Sequence, residues 1–457
     1  MARRSAVDFF QVHGTRDPQT LAARLSEQFV IQNRSLMSQL DVRVSQAYDG
    51  RDVHLMIQSG NAVGAIPLFS PTTARPDYGL VVQPRFPWAG IGPMLAEMGW
   101  RISPTPLGLP LLRRSERRVP VWVLSFMILT RLKALLDSLD RRFELITDTR
   151  RAPRGSVRWS EYFTRSLPNA KFLSIPCSFP DLSDDRLLKG AVRYAVERQL
   201  RALETQKEHG AFVRRLIEFG EQVLRRVQTV PANIPSSTML GAWLQRPMRT
   251  AQFVNGLEAI EWTVEERGLA GLSDLEGIPW AMRMDQFFEA WVETAFRIIA
   301  QRTGGKMRVG RKREAVFPIR WEPPYLGSQT SLIPDLWLEW DSTTLIVDAK
   351  YKRHWEELQH GSWARTNEEL REQHRSDLHQ VLAYANLAKT PKVIACLAYP
   401  CSPENWSSLN ERGRLIHKAD LTIGARSLQL WLTALPMTTA AERVAGPLSD
   451  EIRLSVQ

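Results

Sequence analysis

The run Ile333-Pro334-Asp335-Leu336-Trp337-Leu338-Glu339-Trp340, followed by Leu345-Ile346-Val347-Asp348-Ala349-Lys350, decides how this chain is read. Both segments are short and apolar, which predicts two neighbouring strands, Ile333–Trp340 and Thr344–Tyr351. Pro334 lacks an N–H and suits the start of a strand. Asp348 and Lys350 stand two apart, so their side chains leave the strand on one face. Charged groups are rarely buried unpaired, so core packing does not account for them. Phosphodiester hydrolysis does. Asp335 and Asp348 offer hard oxygen ligands for Mg²⁺ (or Mn²⁺), and the Ala349 carbonyl can add a third. Lys350 would orient or deprotonate a water and offset negative charge in the transition state.

Outward from this pair, Met284, Phe287, Phe288, Trp291, Val292, Ala295 and Ile299 share one helical face, and Gly304-Gly305 stops that helix. Strands are expected at Ala315–Ile319, Val393–Tyr399 and Leu428–Leu435, with a long helix from Asn367 to Leu387. The order predicts a mixed α/β layer over residues 281–457. Residues 156–280 read as mainly helical, through Leu187–Glu208, Ala211–Gln228 and Gln252–Arg267, without strands and without chemistry. Residues 1–155 read as β-rich, with strands Val53–Gln58, Ala62–Phe69 and Tyr78–Gln83 and helices Pro93–Met98 and Val121–Ser138. Thr147–Ser156 is expected to be a boundary or a loop facing nucleic acid. The fold class is therefore mixed α/β, in three parts.

The chain has 457 residues and a net charge of +11, with 60 Lys+Arg against 49 Asp+Glu; only 11 of the 60 are lysine. A basic surface attracts polyanions, although a GC-rich genome gives the same arginine bias. Three scattered cysteines exclude a secreted disulfide framework. No signal peptide is expected, and the longest apolar run, Val119–Leu129, is far short of the ~20 residues of a bilayer span. A soluble, cytoplasmic protein is expected, without a membrane partner.

Pro334-Asp335 … Asp348-Ala349-Lys350 resembles the PD-(D/E)xK nuclease superfamily, whose fold is that of restriction endonucleases. That superfamily often carries an accessory acid on the preceding helix, here Glu289. Asp377-Leu378-His379-Gln380-Val381-Leu382-Ala383-Tyr384-Ala385 gives the Gln-x-x-x-Tyr helix of its RecB-like branch, with Gln380 and Tyr384 at i and i+4 on one face. More closely, Met284–Glu293, the two strands and the Asp377–Ala385 helix are similar to the McrC family, the DNA-cleaving subunit of McrBC-type restriction systems. Val63-Gly64-Ala65-Ile66, Leu80–Arg85 with Arg85 where lysine is usual, and Met94-Leu95 look like that family's N-terminal region. Arg154-Gly155 and Asp184–Ala191 look like its middle region. The resemblance implies a nuclease subunit of an antiviral defence system, recruited by a hexameric AAA+ NTPase of the McrB type. No Walker A pattern occurs here, so that motor would be a separate chain.

Other features have competing readings. Glu289, with Asp285 and Glu293, fits a solvated acidic face as well as a metal contact. Lys306, Arg308, Arg311, Lys312 and Arg313 fit DNA phosphates or a soluble hairpin face. Lys352 and Arg353 extend the active strand and are the better candidates for DNA contact. His354, His360, His374 and His379 lack zinc spacing and are expected at the surface or facing phosphate. Trp291, Trp337 and Trp340 fit core faces, and Cys396 a buried strand. A stand-alone RecB-like repair nuclease, or a non-cleaving DNA clamp that activates an AAA+ motor, are the alternatives to an McrC-type endonuclease.

Overall fold

The computed structural model describes residues 17–456, apart from 50–51, 87, 100, 103, 108–120, 140–142, 183–184, 208–210, 246–249, 266–267, 270–276, 326, 353–367, 424–425 and 438–439. Arg353, His354 and His360 lie outside the described residues. The chain forms two compact units, one of Met1–Arg117 with Gly277–Gln457, the other of Arg118–Glu276.

The described residues of the first unit begin with a helix that the strand-rich reading did not anticipate, α1 (Pro18–Gln39). Its signal is local. The Asp17 carboxylate accepts the Thr20 N–H at 2.8 Å as N-cap, and Pro18 follows at a position where no N–H is needed. β1 (Val42–Asp49) and β2 (Asp52–Ser59) pair as an antiparallel hairpin. β3 (Ala62–Leu68) is buried along its whole length. Phe29, Met37 and Leu40 of the α1 segment pack with Ile66 and Leu68 of β3. Buried Asn33 ties the two together, accepting the Phe69 N–H at 2.6 Å and donating to the Phe69 carbonyl at 2.9 Å.

β3 lies between β4 (Tyr78–Val82) and a strand from far along the chain. After α2 (Trp88–Glu97) and β5 (Thr105–Pro106) comes that strand, β6 (Trp280–Arg283), giving the order β4-β3-β6-β5. Gly64 makes the β3–β6 contact possible. It adopts φ +152°, and a Cβ there would stand 2.1 Å from the Trp280 carbonyl oxygen. Gly64→Ala is expected to destabilise the fold by about 2–4 kcal/mol, read from urea unfolding; a wild-type midpoint would show that β6 can draw back.

β6 runs directly into α3 (Met284–Thr303), closed by Gly304 in the left-handed region at φ 72°. All seven apolar residues expected on its inner face are buried. The sheet beyond is mixed, as the sequence predicts, with six strands where five were expected. β7 (Lys306–Val309), β8 (Leu336–Glu339) and β9 (Thr343–Ala349) form an antiparallel meander. After α4 (Glu368–Ala385), β10 (Lys392–Cys401) joins β9 in parallel. Beyond α5 (Pro403–Glu411), β11 (Ile416–Ile423) and β12 (Arg426–Pro436) complete the order β7-β8-β9-β10-β12-β11, and α6 (Ala441–Val456) packs on α3. β9 is buried throughout, as a central strand covered on both faces must be.

The outer strand differs from expectation. Ala315–Ile319 is not in this sheet; only Phe317–Pro318 is strand, paired with Ser331–Leu332 in a separate ribbon. The position belongs to Lys306–Val309, where cations alternate with Met307 and Val309. Charge on an edge strand is no penalty and guards against pairing with other chains.

In the second unit, helices Val121–Leu139, Arg186–Glu204, Ala211–Arg225, Ser237–Leu244 and Ala251–Val264 surround a core threaded by a hydrogen-bond chain, Ser125 to Gln199 (3.0 Å) to Thr263 (3.2 Å). The middle of the chain is not free of strands. Phe143–Arg150, Ile175–Leu182 and Ser156–Val157 form a three-stranded sheet with Ile175–Leu182 central. Thr147–Ser156 is thus the end of one strand and the turn into another. Gly155, at φ +68°, brings that turn against the Ser178 carbonyl oxygen, 2.4 Å from where a Cβ would sit. The guanidinium carbons of Arg150 and Arg154 stack 5.2 and 4.3 Å from the centre of the Phe179 ring.

Candidate active site

β9 delivers Asp348 to the end of the sheet, and Lys350 follows its last residue. The Lys350 N–H donates to the Ala398 carbonyl at 2.8 Å, which extends the parallel register by one bond. Asp335 precedes β8. Its Oδ2 accepts the Ala349 N–H at 2.8 Å, and its carbonyl accepts the Gly310 N–H at 2.9 Å. Both carboxylates are therefore held from their backbones. Lys350 Nζ lies 2.8 Å from Asp348 Oδ2 and donates to Gln380 Oε1 at 2.8 Å; Gln380 Nε2 donates to the Tyr384 hydroxyl at 2.9 Å. The structure thus brings together Asp335, Asp348, Lys350, Gln380 and Tyr384. Gln380 and Tyr384 work in series: the tyrosine holds the glutamine, and the glutamine holds the lysine.

Electrostatics here favour added positive charge. Burial, then Asp348 and Glu289, push the Asp335 carboxyl well above the usual range. Burial also raises Asp348, against the pull of Lys350. Burial pulls Lys350 down, but Asp348, Asp377 and Asp335 outweigh it and raise its pKa. Burial raises the Tyr384 hydroxyl, so it stays a neutral donor and acceptor.

Glu289 is half-buried. Burial, then Asp285 and Asp348, raise its pKa, and it in turn raises Asp335, so it interacts electrostatically with the carboxylate pair. The solvated acidic face fails for its neighbour: Glu293 is 1% exposed and enclosed by cations. Helical periodicity places Glu293 opposite the apolar stripe, but the loops that cover that side are not visible from the helix alone.

The residues expected to contact DNA separate into kinds. Lys352 Nζ donates to both oxygens of Asp377, at 2.6 and 2.8 Å. Arg308 donates to Glu339 at 2.7 Å and stacks over Trp337. Arg311 and Lys312 bind Glu293, whereas Lys306 and Arg313 are exposed. His374 is not at the surface. It is buried with Nδ1 3.1 Å from the Tyr399 hydroxyl, and burial lowers its pKa. Asp377, Tyr399 and His374 form a polar cluster that sequence reasoning missed. Its signal was Asp377 three residues before Gln380, hence one helical turn along the same face. His379 is exposed, as expected. Trp291 and Trp337 are buried, and Trp340 is half-buried with its N–H on the Thr303 carbonyl.

A divalent cation fits this donor set. Asp348 Oδ2 is buried and has no hydrogen-bond donor, since Lys350 approaches it outside hydrogen-bond geometry. The Asp348 charge adds to burial in raising the Asp335 carboxyl, and the Ala349 carbonyl directly follows Asp348 in sequence. Among the described residues no group of three or more His, Cys, Asp or Glu side chains is arranged around a metal position. The holders would be Asp335, Asp348 and the Ala349 carbonyl.

A family model described as "McrBC 5-methylcytosine restriction system component" matches residues 109–400. Among solved structures, the chain is similar to a refined half-complex from a tetradecameric assembly of Thermococcus gammatolerans McrB AAA+ hexamers with bound McrC. That match has TM-score 0.41 and 14% identity over 95% of each chain. It is also similar to the cryo-EM structure of the Thermococcus gammatolerans McrBC complex, with TM-score 0.27 and 14% identity over 60% of this chain and 82% of the other. No curated protein matches.

Proposed function

The chain belongs to the McrBC 5-methylcytosine restriction system family, and from that membership we propose that it is the system's metal-dependent endodeoxyribonuclease subunit. It cleaves DNA phosphodiester bonds, uses Mg²⁺ or Mn²⁺, and is activated by a separate AAA+ NTPase of the McrB type. The observation that carries this reading is the joined set Asp335, Asp348, Lys350, Gln380 and Tyr384 at the end of a mixed sheet. The order α3, β7-β8-β9, α4, β10 supports a PD-(D/E)xK nuclease core. No helix among the described residues is long and apolar enough to cross a membrane; a subunit that cuts invading DNA would act in the cytoplasm.

A bound cation would offset charge on the scissile phosphate and favour attack by water. Asp335 and Asp348 are held to receive it, Asp335 by the Ala349 N–H. Lys350, its pKa raised by Asp348, Asp377 and Asp335 against burial, would orient water and neutralise developing negative charge. Gln380 fixes the ammonium, and Tyr384 fixes Gln380. Gln380→Ala is expected to slow cleavage about 10-fold, and Tyr384→Phe less, because positioning losses are smaller than the loss of a reacting group. Single-turnover rates check this, and an unchanged Gln380→Ala rate would remove the glutamine from the site.

The deciding assay is cleavage of plasmid DNA with Mg²⁺, with and without an McrB-type partner and NTP. Cleavage that requires both supports the reading. Cleavage by the chain alone overturns the partner dependence. Absence of cleavage in every combination, with DNA still bound, overturns the nuclease assignment.

A further inference from the structure

Four cations converge on one buried carboxylate beside the active site. Glu293 Oε1 lies 2.6 Å from Arg101, 2.5 Å from Arg297 and 3.1 Å from Lys312, and Oε2 lies 2.7 Å from Arg311. They come from three places in the sequence: the segment after α2, α3 itself, and the turn after β7. One partner would neutralise a buried glutamate. Four leave the cluster with a net charge of +3, held together against mutual repulsion.

The cations are not sealed in. Their side chains are 34–39% exposed while the carboxylate is 1% exposed, so donors remain available to solvent. The Arg297 Nε is buried without an acceptor. Glu293 is one helical turn beyond Glu289, about 6 Å along α3, and Arg311 acts electrostatically on Glu289. The excess charge therefore adjoins the catalytic carboxylates.

We propose that Glu293 is a positioning residue that presets Arg101, Arg297, Arg311 and Lys312 as a site for backbone phosphates of the DNA strand entering the active site. The inference rests on the nuclease reading and deepens it. Arginine forks suit phosphate oxygens and lose less entropy when already oriented. A carboxylate at their centre holds them in register before DNA arrives, and its removal would leave them charged but unordered. Two of the four, Arg101 and Arg297, lie outside the basic run visible in the sequence.

The test uses the full chain, a short labelled duplex and no divalent cation, with Kd measured across a NaCl series. Each phosphate contact contributes about 0.9 to the slope of log K against log salt. The double variant R297A/R311A is expected to lower that slope by about 1.8, whereas R412A/R443A, on the exposed surface, leaves it near the wild-type value. E293Q is expected to keep the slope but lower the single-turnover cleavage rate about 10-fold, with E293D restoring part of it. A purely structural brace would lower the melting temperature of these variants without moving the slope. A wild-type slope in R297A/R311A, or an equal drop in R412A/R443A, overturns the inference. If D348A abolishes cleavage in the same preparations, the nuclease reading survives that result. Absence of salt-dependent DNA binding by the wild type overturns both.

Discussion

Asp348→Ala is expected to lower DNA cleavage by more than about 100-fold while DNA binding and the folded state persist. Asp348 is 2% exposed and ends the central strand of the sheet. Its Oδ2 is buried without a donor, although Lys350 Nζ stands 2.8 Å away. In the absence of a cation this arrangement is costly, because a buried carboxylate is left short of hydrogen bonds. Alanine relieves that cost, so activity rather than folding is the property that suffers. Lys350→Ala is expected to be comparably inactive for a different reason: the surviving Asp348 loses the ammonium that opposes its raised pKa. Single-turnover cleavage beside circular dichroism and duplex binding tests both. Wild-type cutting by either variant would remove these residues from the mechanism.

The second large effect is on stability. Asp335, Asp348 and Glu289 all have raised pKa values in the fold, each with burial as its first cause. Over that range the folded state binds more protons than the unfolded chain, so stability falls as pH rises. The sign follows from the direction of the shifts. Stability is full below the ordinary carboxylate range and is lost as pH climbs through the higher, folded-state values. A bound Mg²⁺ of the kind proposed would replace the protons, so its stabilisation would grow with pH. At a hundred times its Kd, a bound ion adds about 2.7 kcal/mol, a rise of several degrees in melting temperature. Asp348→Asn should melt higher than wild type in EDTA at neutral pH, with a flatter pH profile and little response to Mg²⁺. Melting curves from pH 5 to 8, with EDTA or Mg²⁺, check this. A wild-type melting temperature indifferent to both pH and Mg²⁺ would show that the carboxylates bind no ion.

The candidate site was legible where a local pattern marks it. Asp348 and Lys350 interrupt an apolar strand, and Gln380 and Tyr384 repeat at helical spacing; the structure joins all four. What was not legible depends on distant segments. Arg101 and Glu293 are 192 positions apart in sequence and 2.6 Å apart in space. His374 looks like a surface histidine until Tyr399, on another strand, covers it. Strands Phe143–Arg150 and Ile175–Leu182 were hidden because they pair across an intervening strand and short helical turns, a non-local register that no local pattern announces. α1 was hidden by weak amphipathicity, and only its N-cap announced it.

The pairing of β3 with β6 has a consequence for gene architecture. Residues 62–65 and 280–283 are strand partners, and the Met284 N–H that opens α3 bonds the Asn61 carbonyl at 2.8 Å. The polypeptide leaves one body, builds a second, and returns to finish the first, so the helical unit is an insertion rather than a middle link. A truncation that begins near residue 281 would keep every side chain of the candidate site yet strip the scaffold from the helix carrying Glu289 and Glu293. Changes in length within residues 118–276, in contrast, leave the two halves of the host body free to meet. Divergence among relatives should therefore concentrate in the inserted unit, while the flanking halves vary in concert.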